Sequence, residues 1–206
     1  GTGYNEALAP LEQKFKSKTK RFLFEQRKQV LACIFARKGG QGGENIVLDH
    51  EAERSKLFSV FRQLYFEALV SGYGSFCGEL GIGLSPSPPN GASDTYSGVK
   101  ASTISRNFME ITDNLISQLS VYIEERNPTN EEAALKAREI YNLLSGKCSL
   151  LASKEAFIAY AYGRTLAIRD HGTEQHRRFL EPFLKNAVGQ TGKTNRLEET
   201  RDVQSN

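Results

Sequence analysis

Apolar residues recur at three- and four-residue intervals through most of the chain, the spacing that places them on one face of an α-helix. The pattern predicts five helices, at about residues 9–37, 49–72 with a weaker continuation to 80, 102–126, 129–144 and 149–171. Only residues 45–48 briefly resemble a strand. The sequence therefore predicts an all-α fold.

Several predicted helix ends rest on local signals. Asp49 precedes an apolar helical pattern and is a suitable N-cap, since its carboxylate can accept a hydrogen bond from a free backbone amide. Asn127-Pro128 ends the third helix. Thr129 and Glu132 then form a capping-box pattern, in which each side chain accepts from the other residue's backbone amide. Gly146 is predicted to close the fourth helix, and Gly172 the fifth.

Residues 81–98 are rich in glycine, proline and serine, which disfavour regular structure and predict a linker. The chain then divides into an N-terminal helical region (1–80) with a basic first helix, the linker (81–98), a helical domain (99–172), and a short helix with an extended tail (173–206). The expected architecture is two helical modules, first long basic and aromatic helices and then a small bundle, joined by the linker.

Composition fits an ordinary globular chain of 206 residues, with 39% hydrophobic and 25% charged residues and a formal net charge of only +3. No apolar run approaches the roughly 20 residues that a membrane-spanning helix requires. Cys33, Cys77 and Cys148 are far apart, which predicts free thiols in a reducing compartment and no disulfide framework. The three histidines lack the grouping of a zinc site.

Two glycine-containing segments invite a phosphate-loop interpretation. Gly39–Gly43 lacks the Gly-Lys-Ser/Thr ending and follows a helix instead of a strand. Gly192-Lys193-Thr194 has the ending, but Gly189 lies too close before it and no strand precedes it. The sequence thus predicts no catalytic residue, no cofactor and no metal, and we expect a protein that is not an enzyme.

The first predicted helix carries the strongest charge cluster, with nine lysines and arginines in residues 14–38 against a single acid, Glu25. Such a helix can follow phosphates or pair with an acidic protein surface, or it can be a solvated basic face. Its aromatic residues fall at helical spacing, which favours core packing over base stacking. The candidate DNA or partner contacts are Lys14, Lys16, Lys18, Lys20, Arg21, Arg27 and Lys28.

The fifth predicted helix contains a recognisable pattern, formed by Ala152, Glu155, Ala159, Tyr160, Gly163 and Arg164. It resembles the signature helix of the phage head-morphogenesis (Mu F-like) minor capsid family, which reads roughly Ala-Arg-Thr-Glu, three variable positions, then Ala-Tyr-Asn-x-Gly-Arg. Ser153, Lys154 and Ala161 depart from the usual arginine, threonine and asparagine. The similarity extends over about residues 100–172.

Two residues of this pattern carry physical expectations of their own. A glycine inside a helix costs about 1 kcal/mol relative to alanine, so Gly163 predicts the close approach of another helix. Glu155 is expected to pair with an arginine or to cap a neighbouring turn inside a bundle. Both roles would belong to a scaffold.

The resemblance implies a virion structural protein, associated with the portal vertex and acting in head assembly or in genome packaging and delivery. Its implied partners are portal or head proteins, with double-stranded DNA as a further one, in an assembly of several copies and without a membrane. The implied location is the virion head, after synthesis in the host cytoplasm. The alternative is a nucleic-acid-binding module that uses the basic first helix.

Overall fold

A computed structural model describes residues 2–37, 46–82 and 87–178. Its four long helices are α1 (Thr2–Phe35), α2 (His50–Glu79), α3 (Asn90–Arg126) and α4 (Asn130–His171), and residues 174–178 form a short helical turn. No strand occurs in these ranges, so the predicted all-α fold is confirmed. The glycine segments at 39–43 and 192–194, Lys38, and the predicted tail from 179 onward lie outside the described residues.

Consecutive long helices run in opposite directions. Phe15 of α1 packs on Phe61 of α2, while Gln29, further along α1, reaches back to Glu53 near the start of α2. In the same way, α3 runs antiparallel to α2, and α4 antiparallel to α1. The helices α2 and α4 are therefore parallel, and the arrangement is an up-down-up-down four-helix bundle.

Helix α4 is the central element, since it packs along both α1 and α2, whereas α3 packs mainly on α2. Its first half follows α1, where the Tyr141 hydroxyl donates to Gln26 Oε1 at 2.8 Å. Its second half follows α2, where Glu155 accepts from the Tyr65 hydroxyl at 2.7 Å. A long, regular α4 thus positions every residue of the head-morphogenesis-like pattern.

The predicted caps are confirmed at both ends of the α3–α4 connection and at the start of α2. Asp49 accepts from the Ala52 amide at 3.0 Å. Thr129 accepts from the Glu132 amide at 3.2 Å, and the Glu132 carboxylate accepts from the Thr129 amide at 2.9 Å. Asn127 ends α3 in the left-handed conformation at φ 44°, which its short polar side chain tolerates.

The predicted linker is too long at its C-terminal end, because α3 begins at Asn90 and not near Ser102. Pro89 precedes the first turn, where a proline costs no helical hydrogen bond. The buried serine hydroxyls near the start of the helix find their hydrogen-bond partners in carbonyls one turn back, as Ser97 does by donating to Ser93 O at 2.7 Å. Tyr96 then packs edge-on against Tyr65 of α2. Tertiary packing outweighs the weak helix propensity of this stretch.

The predicted break at Gly146 is also wrong, since α4 is continuous from Asn130 to His171. Gly146 is exposed, while Leu144, Cys148 and Ser149 around it are buried. One glycine lowers helix stability by about 1 kcal/mol, which packing on both sides readily offsets. Gly172 does end α4, but with extended backbone at φ −73° and not in a left-handed turn.

The two predicted modules share one hydrophobic core. Its buried cluster combines Phe15 of α1, Phe61 of α2 and Phe108 of α3 with the alanines of α4. The Phe61 and Phe108 rings meet edge to face with centroids 5.5 Å apart. The residues predicted as an N-terminal region and as a separate helical domain therefore stabilise one another.

Candidate functional site

The residues of the head-morphogenesis-like pattern lie on one face of α4, and most of that face is buried. Ala152, Ala159, Tyr160 and Gly163 are buried, and Glu155 and Arg164 are half-buried. A Cβ atom at Gly163 would lie 2.8 Å from the Leu69 carbonyl carbon of α2. The prediction that Gly163 permits close approach of another helix is confirmed.

Glu155 is held at the junction of three helices. It accepts a hydrogen bond from the Tyr65 hydroxyl of α2 at 2.7 Å and one from Lys100 Nζ of α3 at 3.4 Å. Burial, followed by the charge of Glu155, raises the pKa of Tyr65 far above its ordinary value, so the hydroxyl remains a donor. The expected ion pair exists, but its cation is a lysine of α3 and not an arginine.

Arg164 makes a two-pronged ion pair with Glu79 at the end of α2. Its Nη1 and Nη2 donate to the two carboxylate oxygens at 2.6 and 2.9 Å, and Nη1 also donates to Ser75 Oγ at 3.2 Å. The Arg164 guanidinium also lies over the Phe76 ring, 5.4 Å from its centroid. The hydrogen bond from Arg164 lowers the pKa of Glu79 against the opposing effect of burial.

Tyr73 joins the ends of α2 and α4. Its hydroxyl donates to Asp170 Oδ2 at 3.0 Å and lies 2.9 Å from His171 Nε2, while Arg169 Nε donates to Asp170 Oδ1 at 2.9 Å. Burial and the contact with Asp170 raise the pKa of Tyr73 to about 12. Burial also raises the pKa of the Cys77 thiol nearby. At neutral pH these two groups are protonated, and the cluster fastens α4 to α2.

The structure separates the seven basic candidates of α1 into groups. Lys14 pairs with Glu67 of α2, and Lys28 pairs with Glu25 one turn away. Lys18 and Arg21 line a groove that also contains Glu25 and Glu53. Lys20, Arg21 and Arg27 line a different groove, between α1 and α4, while Lys16 lies half-buried one turn before Lys20. Sequence reasoning could not distinguish most of these groups because, apart from Glu25 of α1 itself, the neighbouring side chains belong to other helices.

A second surface feature escaped the sequence analysis. Leu143 and Leu150 of α4 are 72% and 59% exposed, and Lys147 and Lys154 lie beside them. The signal was present as the seven-residue spacing of the two leucines, which repeats one position on a helix face. It was overlooked because the same helix has a strong buried pattern on its other side.

Within residues 2–37, 46–82 and 87–178, no group of three or more His, Cys, Asp or Glu side chains is arranged to hold a metal ion. In the same ranges, no helix combines the length and the apolar character needed to cross a bilayer. Comparison of the chain with protein-family models, with curated proteins and with solved structures found no match in any of the three.

Proposed function

We propose that the chain is a non-enzymatic structural protein of a tailed-phage head, bound beside the portal vertex and acting in head assembly or in genome packaging and delivery. Its partners would be portal or head proteins, with several copies in each particle. The proposal begins from the resemblance of Ala152–Arg164 to the head-morphogenesis signature. Two features of the fold support it.

The first feature is what the signature residues do. Tyr160 and Gly163 set the contact between α4 and α2, and Arg164 anchors the end of α2 through Glu79. These contacts are internal to the bundle, so the pattern specifies a stiff scaffold. A stiff scaffold suits a subunit that must present a fixed surface to its neighbours.

The second feature, the outward face of α4, carries the proposal. Leu143 and Leu150 expose most of their side chains on a helix whose other sides pack on α1 and α2. Neighbouring exposed leucines in one row favour contact with another protein, because burying them removes apolar surface from water. Lys147 and Lys154 border this row, which favours a partner with acidic residues flanking its own apolar stripe.

The test is incorporation of the full chain into particles assembled with portal and head proteins. Leu143→Glu and Leu150→Glu place a charge in the proposed contact without disturbing the core, and we expect incorporation to fall at least tenfold. Crosslinks from Lys147 and Lys154 in wild-type particles should reach a portal or head subunit.

Val99→Glu is the matched control, since Val99 is also strongly exposed, at 62%, but lies on α3. It should be incorporated like the wild type. Normal incorporation of both leucine variants, or crosslinks from Lys147 and Lys154 to no head component, would refute the proposed role.

A further inference from the structure

The groove between α1 and α4, here called the basic groove, has a volume of about 420 Å³. Three of its side chains are cations of α1, and no aspartate or glutamate is among the residues that line it. Its lining consists of Lys20, Arg21, Leu23, Phe24, Arg27, Tyr141, Asn142 and Ser145. A concave surface with cations and no carboxylate attracts anions.

The cations of the basic groove are available for a ligand. None of the ion pairs found in the described part of the chain includes Lys20, Arg21 or Arg27. Arg27 is held in place, since Nη1 donates to Asn142 Oδ1 at 3.4 Å and the guanidinium lies 5.0 Å from the centroid of the Phe24 ring. Neutral partners orient its charge without cancelling it.

The opposite side of α1 shows the contrast. The groove there also contains basic residues, among them Lys18 and Lys56, but Glu25 and Glu53 line it as well. Its carboxylates would repel a polyanion. Arg21 borders both grooves, and of these two the groove towards α4 is the one whose lining contains no carboxylate.

The spacing of the cations indicates the shape of the ligand. Lys16, Lys20 and Arg27 fall on one face of α1, and eleven residues of helix extend about 16 Å. Along one strand of a nucleic-acid duplex the phosphates are separated by about 3.4 Å of axial rise, so this face spans several of them. A single phosphate would engage only part of it.

The aromatic residue at the groove argues against a single-stranded ligand. Unpaired bases bind by stacking on exposed aromatic rings. Arg27 and Lys28 already lie over the Phe24 ring, at 5.0 and 4.8 Å from its centroid. Base stacking on Phe24 is therefore disfavoured, and we expect the basic groove to contact the phosphates of a nucleic acid.

We propose that the basic groove binds the phosphate backbone of a nucleic-acid duplex without reading its sequence. Lys20, Arg21 and Arg27 would contact the phosphates, with Lys16 extending the contact along α1. This activity is additional to the proposed assembly role and uses a different surface from Leu143 and Leu150.

The test is titration of a fluorescent 30-base-pair DNA duplex with the full chain at salt concentrations from 50 to 200 mM. Each phosphate contact contributes about 0.9 to the slope of log affinity against log salt, so the four contacts from Lys16, Lys20, Arg21 and Arg27 predict a slope of about −3.6. Lys20→Gln should reduce the slope by about 0.9 and weaken binding equally for unrelated sequences. Arg27→Gln should do the same.

Lys154→Gln is the matched control, because it removes one charge from the outer face of α4. It should leave the slope unchanged, and circular dichroism should verify that each variant folds. Equal binding of an RNA duplex would support contact with the backbone. An equal loss in Lys154→Gln, preference for single strands, or equally tight binding of polyglutamate would overturn the proposal.

The two proposals can fail separately. Leu143→Glu should retain duplex binding while losing incorporation into particles, and Lys20→Gln should show the reverse. A chain that enters particles normally but binds no duplex would contradict the basic-groove proposal alone.

Discussion

The backbone of Gly163 in α4 lies directly against the carbonyl group of Leu69 in α2. A Cβ atom at Gly163 would also come within 2.9 Å of the Tyr73 amide nitrogen. Gly72 of α2 makes the reciprocal contact, where a Cβ atom would lie 2.8 Å from the Tyr160 carbonyl carbon. Since backbone atoms of a hydrogen-bonded helix cannot rotate aside, two glycines on facing helices set the distance between α2 and α4.

We therefore expect Gly163→Ala to destabilise the protein although alanine is the better helix former. The added methyl group should force α2 and α4 apart and lower the free energy of unfolding by about 1–3 kcal/mol, the range for overpacking a well-packed contact. Urea denaturation followed by circular dichroism measures the change.

Gly146→Ala is the control, because Gly146 lies in the same helix and a Cβ atom there would meet nothing within 4 Å. Helix propensity alone should then raise the free energy of unfolding by about 0.5–1 kcal/mol. If both substitutions stabilised the protein, the close contact between α2 and α4 would be wrong.

Removing the hydroxyl group of Tyr65 should lower the stability of the protein, because the Glu155 carboxylate then loses a hydrogen-bond donor. Among the described residues, Tyr65→Phe leaves Glu155 with Lys100 as its hydrogen-bond partner, and we expect a loss of about 1–3 kcal/mol in unfolding free energy. In a Glu155→Gln background, Tyr65→Phe should lower the unfolding free energy by less. The difference between the two losses is the interaction energy between Tyr65 and Glu155. Tyr122→Phe, on α3 away from Glu155, should change the stability little, and an equal loss there would contradict the assigned contact.

The helix ends show which parts of the fold a sequence can predict. Asp49, Thr129 and Glu132 cap helices through atoms three residues away, so their roles were readable from the chain alone. The start of α3 was missed because its stability comes from contacts with α2, such as Tyr96 against Tyr65. The helix end predicted at Gly146 was wrong for the same reason, because packing of the residues on either side stabilises α4 through this glycine.

The candidate sites were predictable to different degrees. Gly163 predicted a close helix contact, because the low helix propensity of an interior glycine must be offset by packing. The sequence could not show that Leu69 is its neighbour. The basic helix was evident from composition. That Lys14 is neutralised by Glu67, whereas Arg27 faces the neutral Asn142, depends on residues more than 50 positions away.

One of the three cysteine thiols should react rapidly with a thiol reagent, and the other two should react slowly. Cys33 is partly exposed, whereas Cys77 and Cys148 are buried, and burial raises the pKa of Cys148 to about 11. Because the thiolate is the reactive form, we expect a single rapid reaction with an aromatic disulfide reagent at pH 8. Cys33→Ser should abolish this phase, and urea should release the other two thiols. Three thiols reacting at one rate would contradict the burial pattern.

The ion pair between Arg164 and Glu79 should stabilise the protein in a pH-dependent way. Because the hydrogen bond from Arg164 holds the pKa of Glu79 below its ordinary value of 4.5, the folded state binds this proton more weakly than the unfolded state. The stabilisation is complete above pH 4.5 and disappears as the pH falls through the lowered pKa. Glu79 is half-exposed, so solvent screening limits the effect to about 1 kcal/mol.

The comparison is between the wild type and Glu79→Gln, by urea denaturation from pH 7 to pH 3. We expect the wild type to be the more stable at pH 7 and the difference to shrink steadily below pH 4.5. Glu139→Gln, an exposed substitution on α4, should show no such convergence. A difference between wild type and Glu79→Gln that is the same at pH 7 and pH 3 would show that the carboxylate charge does not stabilise the end of α2.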